Sequence, residues 1–252
     1  MEKLSKISRY LTDRVLSLVA PRCCLACNGW LTDKEMVLCF DCLQNLNFYS
    51  PEYYDAFSEF KPSKKVPVSP QWEHCFPLLT YSPETPEARF VINIKGHSSL
   101  DQRLTAGIML GRRISLYYRL NGKPVDIDFI IPAPIIRERE KRRGYSQTYD
   151  VAKGIGAELG IDVRNDIISN EGTEYHIREF LMHGSDRDKL RKNKYVVNSN
   201  AEELVGKHIL IFDDQITSGS TIYKLCDLIQ RATKGNVRFS IASLSLSSSC
   251  MK

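Results

Sequence analysis

The chain has 252 residues, 42% hydrophobic and 26% charged, with eight cysteines; this fits one domain plus a small module, or two modest domains, and excludes a largely disordered or collagen-like chain. No stretch reaches the ~18 consecutive apolar residues of a membrane helix, and the N-terminal charges Glu2, Lys3, Lys6, Arg9, Asp13 and Arg14 interrupt any secretory leader, so a cytoplasmic address is expected. The net charge of +5 permits phosphate-bearing partners without requiring them.

In chain order, Leu4, Ile7, Leu11, Val15 and Leu18 recur at three- and four-residue steps, which predicts an amphipathic helix within residues 1–20, ended by Pro21. It either docks on a partner domain or lies on a membrane surface. Residues 21–50 hold five of the eight cysteines. Cys24-x-x-Cys27 and Cys39-x-x-Cys42 are two knuckles separated by eleven residues. In a reducing compartment such paired spacing predicts a closed, structural four-sulfur Zn²⁺ site, with a redox pair or reduced structural thiols as the alternatives. Cys23 competes with Cys24 for one ligand position. Residues 51–75, rich in Pro, Ser, Lys and aromatics, read as a linker or irregular cover.

Residues 76–252 alternate helical and strand patterns. Phe90, Val91 and Ile94 predict a helix with a break near Gly96. A second helix follows through Leu104, Ile108, Leu110, Ile114 and Tyr118. Ile127–Ile131, bounded by Pro132, is a buried strand. A helix runs from Tyr149 to Leu159, a possible strand over Ile161–Val163, a strand over His208–Phe212, a helix through Ile222–Ile229 and a strand over Val237–Leu246. Apolar strands alternating with helices predict an α/β fold: a parallel sheet flanked by helices.

The strand at 208–212 is followed by Asp213, Asp214, Gln215, Ile216 and then Thr217-Ser218-Gly219-Ser220-Thr221. In open α/β sheets, ligands bind at the carboxyl ends of strands. Small and hydroxyl residues opening a helix cradle an anion with free N–H groups, and Gly219 admits close backbone approach. The acids repel a phosphate but suit sugar hydroxyls or an attached divalent cation. The stretch describes a ribose phosphate. The plain alternative is a Ser/Thr helix cap after an acidic turn. Upstream, Arg137, Arg139, Lys141, Arg142 and Arg143 are either a solvated face or a clamp for a pyrophosphate. Tyr145 either packs or stacks on a base. Lys95-Gly96 follows a helix and can supply N–H groups and a cation.

The segment Asp213, Asp214, Thr217, Ser218, Gly219, Ser220, Thr221 resembles the phosphoribosyl pyrophosphate (PRPP) loop of type I phosphoribosyltransferases. That resemblance implies that both acids bind the ribose hydroxyls, that 217–221 hold the 5-phosphate, and that Mg²⁺ accompanies PRPP. Gln215 stands where that family usually has a small apolar residue. The cysteine module before such a core, Ile131-Pro132-Ala133-Pro134 and Arg142-Arg143-Gly144-Tyr145-Ser146-Gln147 resemble the ComF family, associated with competence and DNA uptake. The resemblance covers roughly residues 5–246 and implies that Lys95, Arg142 and Arg143 face the pyrophosphate. It departs over Glu174–Tyr195, where Arg187 or Arg191 stands for a family arginine and His176 and His183 lie nearby.

Two functions are carried forward. One is phosphoribosyl transfer from PRPP to an unidentified acceptor, with release of pyrophosphate. The other is a non-catalytic PRPP or nucleotide sensor that binds single-stranded DNA or a DNA-uptake partner protein through its basic strip and zinc module.

Overall fold

The apolar runs become strands of one sheet in the computed structural model, which describes residues 22–57, 71–172 and 194–247. The helix expected over residues 1–20 lies outside the described residues, as do Arg187, Arg191, His176 and His183. The strands are β1 (Cys75–Tyr81), β2 (Phe129–Pro132), β3 (Asp162–Val163), β6 (His208–Ile216) and β7 (Arg238–Ser247), in the order β1-β7-β6-β2-β3. Every pairing is parallel. A separate antiparallel pair joins β4 (Ile168–Asn170) to β5 (Tyr195–Val197). The helices are α1 (Phe40–Asn45), α2 (Pro86–Gly96), α3 (Leu100–Leu120), α4 (Arg137–Arg143), α5 (Gln147–Leu159) and α6 (Ser220–Ala232). No helix among the described residues is long and apolar enough to cross a membrane.

The middle strand, β6, explains the shape of the core. Ile209, Leu210, Ile211 and Phe212 are all fully buried, as a strand covered on both faces requires. This strand runs four residues past the expected end at Phe212. The acids suggest a turn in the sequence, but β7 holds them in the ladder, with Asp213 opposite Ser243 and Gln215 opposite Ser245. Likewise β2 takes in Pro132. Proline donates no ladder bond, and the pairing continues through the Ala133 N–H to the Phe212 carbonyl at 2.7 Å.

Caps and close packing then fix the helices. Thr85 accepts the Ala88 N–H, with Pro86 in the first turn of α2. The break expected near Gly96 falls at 97–99, because Ser99 and Gln102 form a reciprocal capping box that restarts the chain as α3. α3 crosses α5 at glycines. A Cβ on Gly107 would sit 2.0 Å from the Val151 carbonyl oxygen, and one on Gly154 2.0 Å from that of Leu104. This contact delivers the start of α5, Gln147, to the end of β6.

The cysteine module shares the hydrophobic core through Leu25, Ala26, Val37, Leu38 and Leu46. Polar ties run to the α2–α3 corner. Asn93 Nδ2 donates to the Leu25 carbonyl at 2.8 Å and to Asn28 Oδ1 at 2.9 Å, and Gln102 Nε2 donates to the Cys23 carbonyl at 2.9 Å.

Candidate functional site

A cleft of about 220 Å³ opens beyond the carboxyl ends of β2 and β6. It is lined by Lys95, Arg139, Arg143, Gln147, Tyr195, Asp213, Asp214 and Thr221 among others. Beside it, Asp213 and residues 215–222 enclose a small hollow of about 30 Å³. Thr217, Ser218, Gly219, Ser220 and Thr221 all line that hollow. Gly219 sits at φ +72° as the N-cap of α6, a left-handed conformation that glycine adopts without steric penalty. The positive dipole end of α6 therefore borders the hollow.

The acids are held differently. Asp214 is buried and receives the Lys95 ammonium at 3.0 Å on Oδ1 and Gln147 Nε2 at 3.0 Å on Oδ2. Lys95 Nζ also donates to Gln215 Oε1 at 3.1 Å. Gln147 Oε1 in turn accepts from Arg143 at 3.0 Å. Asp213 accepts the Asp214 N–H at 2.9 Å and borders both cavities. Burial pushes the Asp213 carboxyl up to about 8, the Asp214 charge adds to this, and Lys95 opposes it. Tyr195, reached from β5, is pushed up to about 12 by burial and the Asp213 charge, against a hydrogen bond with Thr221. Burial, with Arg139 and Arg142 close by, lowers Arg143 from its ordinary value. Such crowded cations suit a polyanion.

Of the residues singled out in the sequence, Lys95, Arg143, Asp213, Asp214 and Thr221 meet in the cleft, and 217–221 form the adjoining hollow. Arg142 does not line the cleft. Arg139, one helical turn before Arg143, takes that place, and its spacing of four residues is the available signal. Gln147, which closes the Arg142–Gln147 motif but takes no role from it in the sequence reading, lines the cleft, and so do Asn170 and Tyr195, which nothing in the sequence pattern marks. Tyr145 is engaged by packing: the Arg103 guanidinium covers one face of its ring at 3.7 Å, and its hydroxyl donates to the Lys95 carbonyl at 3.3 Å.

At the module, the sulfurs of Cys24, Cys27, Cys39 and Cys42 lie within 4.8 Å of one another. Cys27 and Cys39 are 3.8 Å apart. The S–S edge of a tetrahedral site with ~2.3 Å bonds is also ~3.8 Å, so the set can hold one metal ion, and its four thiolates suit Zn²⁺. Cys24, not Cys23, completes the set. Burial raises the Cys24 thiol, but the backbone N–H groups of Cys27, Cys39 and Ala26 outweigh this and bring it below its ordinary value.

No protein-family model matches the chain. The amidophosphoribosyltransferase of Saccharomyces cerevisiae is 25% identical over 205 residues, covering 75% of this chain and 36% of that protein. Competence protein F of Haemophilus influenzae is 28% identical over 102 residues, covering 40% of this chain and 44% of that protein. The chain thus matches less than half the length of either relative. A solved glutamine PRPP amidotransferase from B. subtilis, complexed with ADP and GMP, is 17% identical at a TM-score of 0.35, covering 60% of this chain and 30% of that one. The parallel sheet and the similarity to amidophosphoribosyltransferase define a type I phosphoribosyltransferase-like protein. Within that class, the similarity to Competence protein F makes it ComF-like.

Proposed function

We propose that the protein binds PRPP and transfers its phosphoribosyl group to an acceptor, releasing pyrophosphate. The observation that carries this reading is convergence. The hydroxyl-rich hollow at α6, the acid pair of β6 and the cations Lys95, Arg139 and Arg143 adjoin one another. That matches a ligand with a phosphate at one end, a diol in the middle and a pyrophosphate at the other.

In this reading residues 217–221 hold the 5-phosphate, the acid pair serves the ribose, and the cations neutralise the leaving pyrophosphate. As the acceptor attacks C1, the C1–O bond breaks and its electron pair leaves with the pyrophosphate. The protein contributes positioning and charge stabilisation. Mg²⁺ accompanying PRPP supplies further charge neutralisation, with Asp213 the carboxylate nearest both cavities. Zn²⁺ on Cys24, Cys27, Cys39 and Cys42 is structural, since four protein ligands leave no open position. A pyrophosphate-release assay with PRPP and Mg²⁺ over a panel of bases and amines tests transfer. Turnover with one acceptor supports it; PRPP binding without release across the panel leaves the sensor.

The similarity to Competence protein F favours that second reading, a PRPP sensor serving DNA uptake. Within residues 22–50 the charges are Arg22 and Lys34 against Asp33, Glu35 and Asp41, so the basic strip on α4, rather than the cysteine module, is the surface suited to DNA. Single-strand affinity measured against salt tests this. A slope near zero contradicts backbone contacts by that strip.

A further inference from the structure

The resemblance assigns both acids of β6 to the ribose, yet their surroundings differ. Asp214 is 6% exposed, and both its oxygens are engaged by protein groups: Lys95 on Oδ1 and Gln147 on Oδ2. Each of these partners belongs to a cation of the cleft. Lys95 is itself one, and Gln147 passes the contact on to Arg143. The position after Asp214 adds to the arrangement. Gln215, where a small apolar side chain is usual, gives the Lys95 ammonium a second acceptor at 3.1 Å. The Lys95 main chain is held too, since Tyr145 donates to its carbonyl from under the Arg103 guanidinium. Asp213 has no such role. It accepts one neighbouring N–H and borders both the cleft and the hollow.

Each oxygen of the Asp214 carboxylate can accept more than one hydrogen bond, but one site on each is already committed, and turning the group away from the Lys95 ammonium at 3.0 Å would release a largely buried, paired charge, which is expensive. A lysine on a flexible four-carbon stem, by contrast, needs anchoring before it can act as an aimed point charge.

We propose that the two acids have separate roles. Asp213 is the ribose-binding carboxylate, while Asp214 and Gln215 are positioning residues that aim Lys95 and, through Gln147, Arg143 at the pyrophosphate. This inference rests on the PRPP reading above.

The test is calorimetry with two fragment probes, inorganic pyrophosphate and ribose 5-phosphate, each with Mg²⁺. They are titrated into the full chain and into Asp213→Asn, Asp214→Asn and Gln215→Val. Loss of one charge-assisted contact is roughly tenfold or more in affinity. Asp214→Asn is therefore expected to weaken pyrophosphate roughly tenfold or more and ribose 5-phosphate far less, with Asp213→Asn doing the reverse. Gln215→Val is expected to weaken pyrophosphate roughly threefold, the smaller effect of a neutral acceptor. A merely structural role for Asp214 would weaken both probes alike, and that result overturns the proposal. Should Asp214→Asn fail to fold, Gln215→Val decides: no change in pyrophosphate affinity overturns it. If the unmodified chain binds neither probe nor PRPP, the PRPP reading itself fails. If it binds all three without the split, only the division between the acids fails.

Discussion

Replacing Asp213 by asparagine should make the protein more stable in mild alkali while removing ribose binding. Asparagine keeps the oxygen that accepts the Asp214 N–H but cannot ionise. In the folded protein burial raises the Asp213 carboxyl from an ordinary 3.8 to about 8. A group whose folded value is raised stabilises fully below its unfolded value, and that contribution is lost as pH rises through the folded one. The native chain therefore loses stability between roughly pH 4 and pH 8, while the asparagine variant does not. Each tenfold change in proton affinity is ~1.4 kcal/mol, so the full displacement sets a ceiling of ~6 kcal/mol. The carboxyl also faces the cleft and its water, so we expect about a third of that ceiling, ~2 kcal/mol. For a chain of this size ~2 kcal/mol raises Tm by roughly 4–8 °C. Thermal melts of both proteins from pH 4 to 9 measure it. The variant should lead at pH 8.5 and the gap should close toward pH 4. A variant no more stable than the native chain at pH 8.5 refutes the reasoning.

Four further outcomes follow from the packing and the cysteine cluster. Gly154→Ala should lower stability by ~2–3 kcal/mol in urea titrations, because its Cβ would meet the Leu104 carbonyl oxygen at 2.0 Å and the α3–α5 crossing must part. Arg103→Met should lower it by ~3–5 kcal/mol, since Asp150 loses a buried partner at 2.7 Å; a loss under ~1 kcal/mol would mean that Asp150 is satisfied by other groups. Elemental analysis should find ~1 zinc per chain, lost in the Cys24→Ser/Cys39→Ser double variant. Stripping the metal should also weaken pyrophosphate binding, because Asn93 and Gln102 tie the module to the corner that carries Lys95; equal affinity with and without metal contradicts that link.

What could be read from the chain was local. The run at Ile209–Phe212, the 217–221 loop and the two cysteine knuckles each declare themselves within a dozen residues, because the chemistry needs neighbours. What could not be read depends on distance or direction. Gln147 meets Asp214 across 67 positions and Lys95 meets Gln215 across 120. Cys23 and Cys24 are equivalent by spacing, and only the fold of the knuckle puts one sulfur with the others. Arg142 and Arg143 are equally basic, yet neighbours on a helix point ~100° apart, and only the fold shows that Arg143 rather than Arg142 lines the cleft with Arg139. The end of β6 is hidden in the sequence because acids imply a turn, whereas its length is set by the serines of β7, which begins more than twenty residues later.

The most direct test of the central claim is a calorimetric titration of the full chain with PRPP and Mg²⁺, repeated with Asp213→Asn. The account predicts saturable one-to-one binding that the variant loses. Absence of heat with the native chain, or an unchanged affinity in the variant, would contradict it.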